Sequence, residues 1–164
     1  MTMRASYVTR IAIGVTALGV GLLVYLADRR PEQIYFLQRI GVTHAMYEGA
    51  STLFGSLGQN LPAFIHAFAF ALITGGILAC GQRGSLIVVL GWFATDAAFE
   101  LGQRFPAWSE RFVPRWFDSL PVLESARPFF RDGTFDPLDL FAMAVGAVAA
   151  YFLLLATMEG GRSC

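Results

Sequence analysis

Four runs of apolar residues organise the chain, from about Tyr7 to Ala27, Leu61 to Cys80, Ser85 to Leu101 and Leu138 to Thr157. Each approaches the ~20 residues that an α-helix needs to cross a hydrocarbon core of ~30 Å at a rise of about 1.5 Å per residue. The pattern predicts an all-α fold: an integral membrane four-helix bundle, one transmembrane domain spanning residues 1–164. An even number of crossings places both termini on one side.

The polar positions set the connectivity. Only Gly81-Gln82-Arg83-Gly84 separates the second run from the third, so these two helices are expected to form an antiparallel hairpin. The other two connections are long, 33 residues from Asp28 to Asn60 and 36 from Gly102 to Pro137, and both emerge on the side opposite the termini. The second holds five of the seven prolines (Pro106, Pro114, Pro121, Pro128 and Pro137), which rules out one continuous helix. It also mixes Trp108, Trp116 and several Phe with Arg104, Arg111, Arg115, Arg127 and Arg131, the composition of a segment lying among lipid headgroups. The first, with Pro31 at a helix start and Ile34, Leu37 and Ile40 at helical spacing, is expected to lie there too. Both are read as partly helical interfacial loops.

Small residues recur every fourth position in two of the runs: Ala63, Ala67, Ala71, Gly75 and Ala79 in the second, Ala142, Gly146 and Ala150 in the fourth. Helices associate in lipid through close backbone contact, so these stripes are expected to face partner helices.

Composition agrees with a lipid environment. Hydrophobic residues make up 55% of the 164 residues and charged residues only 15%, against about 25% charged in a soluble domain. The first run is longer than the h-region of a signal peptide, and Ala27-Asp28-Arg29-Arg30-Pro31 offers no small-x-small cleavage site, so it is expected to be retained as a helix. Twelve basic residues balance twelve acidic ones, leaving no excess to neutralise phosphates and excluding a nucleic-acid binder. All twelve are Arg, which with the heavy use of Ala and Gly reads as the codon bias of a GC-rich genome. Cys80 and Cys164 are too few and too scattered for a disulfide framework.

Charge also bears on orientation. Arg4, Arg10, Arg83 and Arg162 lie on the terminal side beside one acid, Glu159, whereas the long loops hold eight Arg and eight acids. Raw number favours loops inside and density favours termini inside. The expectation taken is cytoplasmic termini.

Ionisable groups at membrane depth are costly, and each is a functional candidate. His66, Asp96, Glu100 and Asp139 qualify, all towards the long-loop face. Asp96, Glu100 and Gln103 follow i, i+4, i+7 spacing and share one helical stripe. Two carboxylates one turn apart at low dielectric resist ionising together, so one could hold a proton at neutral pH, as a general acid or proton relay requires. The plainer alternative has Glu100 and Gln103 reaching headgroup water and Asp96 paired with an Arg. His66 could transfer protons, ligate a metal or bond across a helix interface. The only other histidine, His44, lies in a loop and no HxxH or HExxH spacing occurs, so no metal and no cofactor are expected. In Gly133-Thr134-Phe135-Asp136-Pro137-Leu138-Asp139, Asp136 fits an N-cap, Pro137 the first helical position and Asp139 the third. Asp136 is assigned to capping, and Asp139 could face His66 or Glu100. No nucleophile elbow, P-loop or GxGxxG turn is present.

From Leu61 to Tyr151 the order of these features resembles the VanZ-like family of small bacterial membrane proteins. The residues are Leu61-Pro62-Ala63-Phe64-Ile65-His66 opening one helix, Glu100-Leu101-Gly102-Gln103 closing the next, and Asp136-Pro137-Leu138-Asp139 with the later Gly146 in the last. The resemblance implies that His66, Glu100, Gln103 and Asp139 form the polar set and Gly146 a packing position. It does not cover Asp96. It also implies a bacterial inner (cytoplasmic) membrane and a cell-envelope role, without a defined reaction.

Three functions follow as expectations. The protein binds or acts on a lipid-linked envelope component, with Glu100 or Asp139 as acid or base, His66 as partner and the aromatic loop as lid. Alternatively it is a non-catalytic accessory subunit whose partner is another membrane protein. A proton-coupled transporter is third, since four helices leave little room for a path and no internal repeat is visible.

Overall fold

A computed structural model describes residues 3–28, 54–121 and 123–158. The described chain is helical throughout: α1 (Met3–Asp28), α2 (Gly55–Ile77), α3 (Gln82–Arg104), α4 (Pro106–Phe112), α5 (Ala126–Asp132) and α6 (Pro137–Ala156), with 3-10 turns at Arg115–Ser119 and Leu123–Ser125. Within α1, α2, α3 and α6, the spans Ser6–Val24, Gly58–Ile77, Gln82–Arg104 and Pro137–Ala156 are long and apolar enough to cross a membrane. The chain is a multi-pass membrane protein. Pro31, His44 and the rest of the first long connection lie outside the described residues.

The second helix departs most from its expected bounds. It starts at Gly55 rather than Leu61 and contains Pro62, which has no N–H to give the carbonyl four residues earlier. The polar stretch Gly58-Gln59-Asn60 is thus helical, and it places Asn60 on α2. At its other end the helix stops at Ile77, and Ala79 adopts a left-handed φ of 52° in the turn. A Cβ costs about 1–2 kcal/mol in that conformation. Ala79 is therefore the exposed exit from the helix and no part of the packing stripe.

Helix α2 is central, flanked by α1 on one side and α6 on the other, while α3 closes against α6 and, less extensively, against its hairpin partner α2. The expected small-residue stripe makes the α2–α6 contact. Ala67 and Ala71 are fully buried, a Cβ on Gly75 would meet Leu154, and one on Gly146 would strike the Phe64 backbone carbonyl. A second small surface on α2 serves α1: Gly14 lies over Ala69 and Ile73, and Gly76 over Tyr7 and Ile11. Periodicity pointed to the first face only, because the second is built from glycines on both helices.

A buried cation fastens the terminal side. Arg10 is 1% exposed; its Nε donates to Thr157 Oγ1 at 2.8 Å and one terminal nitrogen to the Leu154 carbonyl at 3.2 Å. The Ser6 hydroxyl donates to the Thr157 carbonyl, and the Arg10 guanidinium lies 5.4 Å from the Tyr7 ring centre. The last carbonyls of a helix have no intrahelical partner and carry the negative end of its dipole, so a guanidinium there satisfies both. Arg10, counted above among the charges that set orientation, is a packing residue.

The segment between α3 and α6 is also tied. Arg127 donates to the Val113 carbonyl at 2.8 Å, to the Glu110 carbonyl at 3.5 Å and to Asp118 at 3.0 Å, pinning α5 to the C-terminal end of α4. Phe99 of α3 stacks on Phe130 of α5, with ring centres 5.8 Å apart.

Candidate functional site

The candidate residues gather at one end of α2, α3 and α6, where α3 enters α4 and α5 leads into α6. They divide into two layers. Asp96 and Glu100, one turn apart on α3, are 5% and 6% exposed and face inward together. That spacing sets the layers about 6 Å apart along the helix axis.

In the deeper layer His66 Nδ1 is 2.9 Å from Asp96 Oδ1. The pair is asymmetric: Asp96 is buried, whereas the His66 side chain is 49% exposed. The other carboxylate oxygen, Oδ2, is buried and has no hydrogen-bond partner among the described residues. Asp96 thus pairs with a histidine rather than with an Arg. Phe70 and Trp92 line the inner side of the imidazole, with ring centres at 4.4 and 6.3 Å, and stack on each other at 4.7 Å. The Trp92 indole N–H donates to Thr74 Oγ1 at 2.9 Å.

In the outer layer Glu100 accepts the Asp136 backbone N–H at 2.6 Å. Asp136 takes the N-cap position of α6, its Oδ1 accepting the Leu138 N–H at 2.9 Å. Its other oxygen and Asp139 Oδ1 share the side-chain amide of Asn60, at 3.4 and 2.8 Å. Asp139 therefore bonds to Asn60 and not to His66. Gln103 packs against Gly133, where a Cβ would overlap its amide. Every acid of this layer has a task in starting α6 or holding it on α2 and α3.

The structure thus separates residues that the sequence grouped together. His66 and Asp96 form an open pair, and Glu100, Asp136 and Asp139 form an internally bonded cluster with Asn60. Asn60 escaped the sequence reading because its polar surroundings looked like loop; its place just ahead of an apolar run was the only signal. No group of three or more His, Cys, Asp or Glu among the described residues could hold a metal ion. Outside the membrane-spanning segments, Arg131 donates to Asp132 at 3.0 Å, which holds that exposed carboxyl below its ordinary range and raises the guanidinium.

Chemically, an imidazole whose Nδ1 is committed to a buried carboxylate is fixed in orientation and tautomer, leaving Nε2 for a ligand or a proton. Compared with known proteins, the chain matches no family model, no curated protein and no solved structure.

Proposed function

We propose that the chain is a VanZ-like protein of a bacterial inner membrane, a four-helix bundle with cytoplasmic termini and interfacial loops on the opposite side. It binds or acts on a lipid-linked component of the cell envelope. The observation that carries this reading is the His66–Asp96 pair, a polar dyad with one member buried and the other open on a membrane-spanning surface. An imidazole and a carboxylate are expensive at that depth, and nothing in the capping of α6 requires them. The acting groups are therefore His66, with Asp96 as its positioning residue, rather than Glu100 or Asp139.

A non-catalytic accessory subunit is the second reading, favoured by the outer layer, where Glu100, Asp136, Asp139 and Asn60 are bonded to one another. Lipid analysis of the full chain purified in mild detergent separates the two. The first reading expects one lipid class enriched over the bulk membrane and lost from His66→Gln and Asp96→Asn at unchanged yield. A stoichiometric protein partner with no enriched lipid supports the accessory role instead.

A further inference from the structure

The seam between α2 and α3 changes character along its length. On α2 the residues facing it are His66, Phe70 and Thr74, at i, i+4 and i+8; on α3 they are Glu100, Asp96 and Trp92 at the same interval in the opposite sense. Two side-chain bonds across the seam join these stripes, His66 to Asp96 and Thr74 to Trp92. Passing inward from the loop face, the seam is carboxylate, then imidazole, then two stacked aromatic rings.

The indole is the informative group. Trp92 gives its only polar hydrogen to Thr74, inside the protein, so the half-buried ring offers outward nothing but hydrocarbon. Phe70 stacks on it and extends the same surface to the edge of His66. The half-exposed imidazole, with Nδ1 taken by Asp96, stands where this apolar wall meets the acidic layer.

We propose that this seam seats one membrane lipid, which enters sideways from the bilayer, lays its tail along Phe70 and Trp92, and brings a polar group to His66 Nε2. This rests on the lipid-binding reading above and adds the path of entry and the class of headgroup. Glu100, Asp136 and Asp139 stand above His66, so the polar group that fits is a neutral hydrogen-bond donor such as a hydroxyl, and a phosphate is disfavoured by charge.

Two photoactivatable lipids with the same diazirine-bearing acyl chain, a diacylglycerol and a phosphatidate, test this on the full chain in vesicles, with cross-links mapped by mass spectrometry. Ile87 and Phe141, exposed apolar residues of α3 and α6, report the ordinary lipid annulus. With diacylglycerol, Phe70 and Trp92 should be labelled roughly threefold to tenfold above these controls, the worth of about one hydrogen bond. The excess should vanish in His66→Gln and in Asp96→Asn, each checked for an unchanged gel-filtration profile. Phosphatidate should label all four positions alike. Equal labelling by diacylglycerol, or an excess that survives both substitutions, overturns the seat. An equal excess with phosphatidate overturns the headgroup assignment. An enriched co-purifying lipid without an excess at the seam leaves the broader reading intact and refutes this one alone.

Discussion

His66 Nδ1 lies 2.9 Å from Asp96 Oδ1, joining a half-exposed imidazole on α2 to a carboxylate on α3 that is 5% exposed. The bond crosses the least extensive of the main helix contacts, so it is a polar tie between the hairpin arms as well as the anchor of the candidate imidazole.

Its removal should be strongly asymmetric. His66→Ala leaves the buried Asp96 carboxylate with no partner, a situation that costs about 3–5 kcal/mol when the charge persists. The double variant His66→Ala/Asp96→Asn removes that charge and should recover much of the loss. Thermal unfolding of the four proteins in detergent gives the coupling energy. A double variant as unstable as the sum of the singles would show that the two side chains act independently.

Glu100 holds the start of α6 through the Asp136 N–H. Glu100→Gln keeps an acceptor oxygen and should unfold close to the parent, whereas Glu100→Ala orphans a part-buried donor and should lose about 1–3 kcal/mol. Equal losses in both variants would mean that the charge, and not the acceptor, is what the site uses.

At Gly146 the helices touch backbone to side-chain position, since a Cβ there would strike the Phe64 carbonyl. Gly146→Ala should cost about 1–3 kcal/mol by forcing α6 away from α2. Gly91, with nothing within 4 Å of an added Cβ, is the control: Gly91→Ala should be neutral or stabilise by up to ~1 kcal/mol through helix propensity. Detergent melting curves that rank the two variants the other way would contradict the observed packing.

Arg10 should matter for stability and not for topology. Arg10→Lys replaces a planar fork by a single nitrogen, which cannot serve both Thr157 Oγ1 and the Leu154 carbonyl in the same way. The substitution keeps the charge, so a reporter fused at the C-terminus should stay on its side while the melting temperature falls. Arg10→Met should do the same despite losing the charge. An inverted reporter in Arg10→Met alone would return Arg10 to the set of orienting charges.

The sequence by itself determined the four membrane-crossing helices, because a run of some 20 apolar residues has few alternatives in lipid and the criterion is local. It also located the α2 stripe of Ala67, Ala71 and Gly75, since helical periodicity converts position into face, and the N-cap at Asp136, which needs only its immediate neighbours. Which polar residues meet was decided by tertiary structure alone. Asp96, Glu100 and Gln103 share a stripe on α3, yet Asp96 bonds to His66, Glu100 to the Asp136 backbone, and Gln103 packs on Gly133. The partners come from another helix, α2, and from the turn between α5 and α6, and spacing along one helix carries no record of them. Asn60 and Arg10 show the same limit. One looked like loop and the other like a flanking charge until the packing of α2 and of α1 beside α6 brought each to its partners.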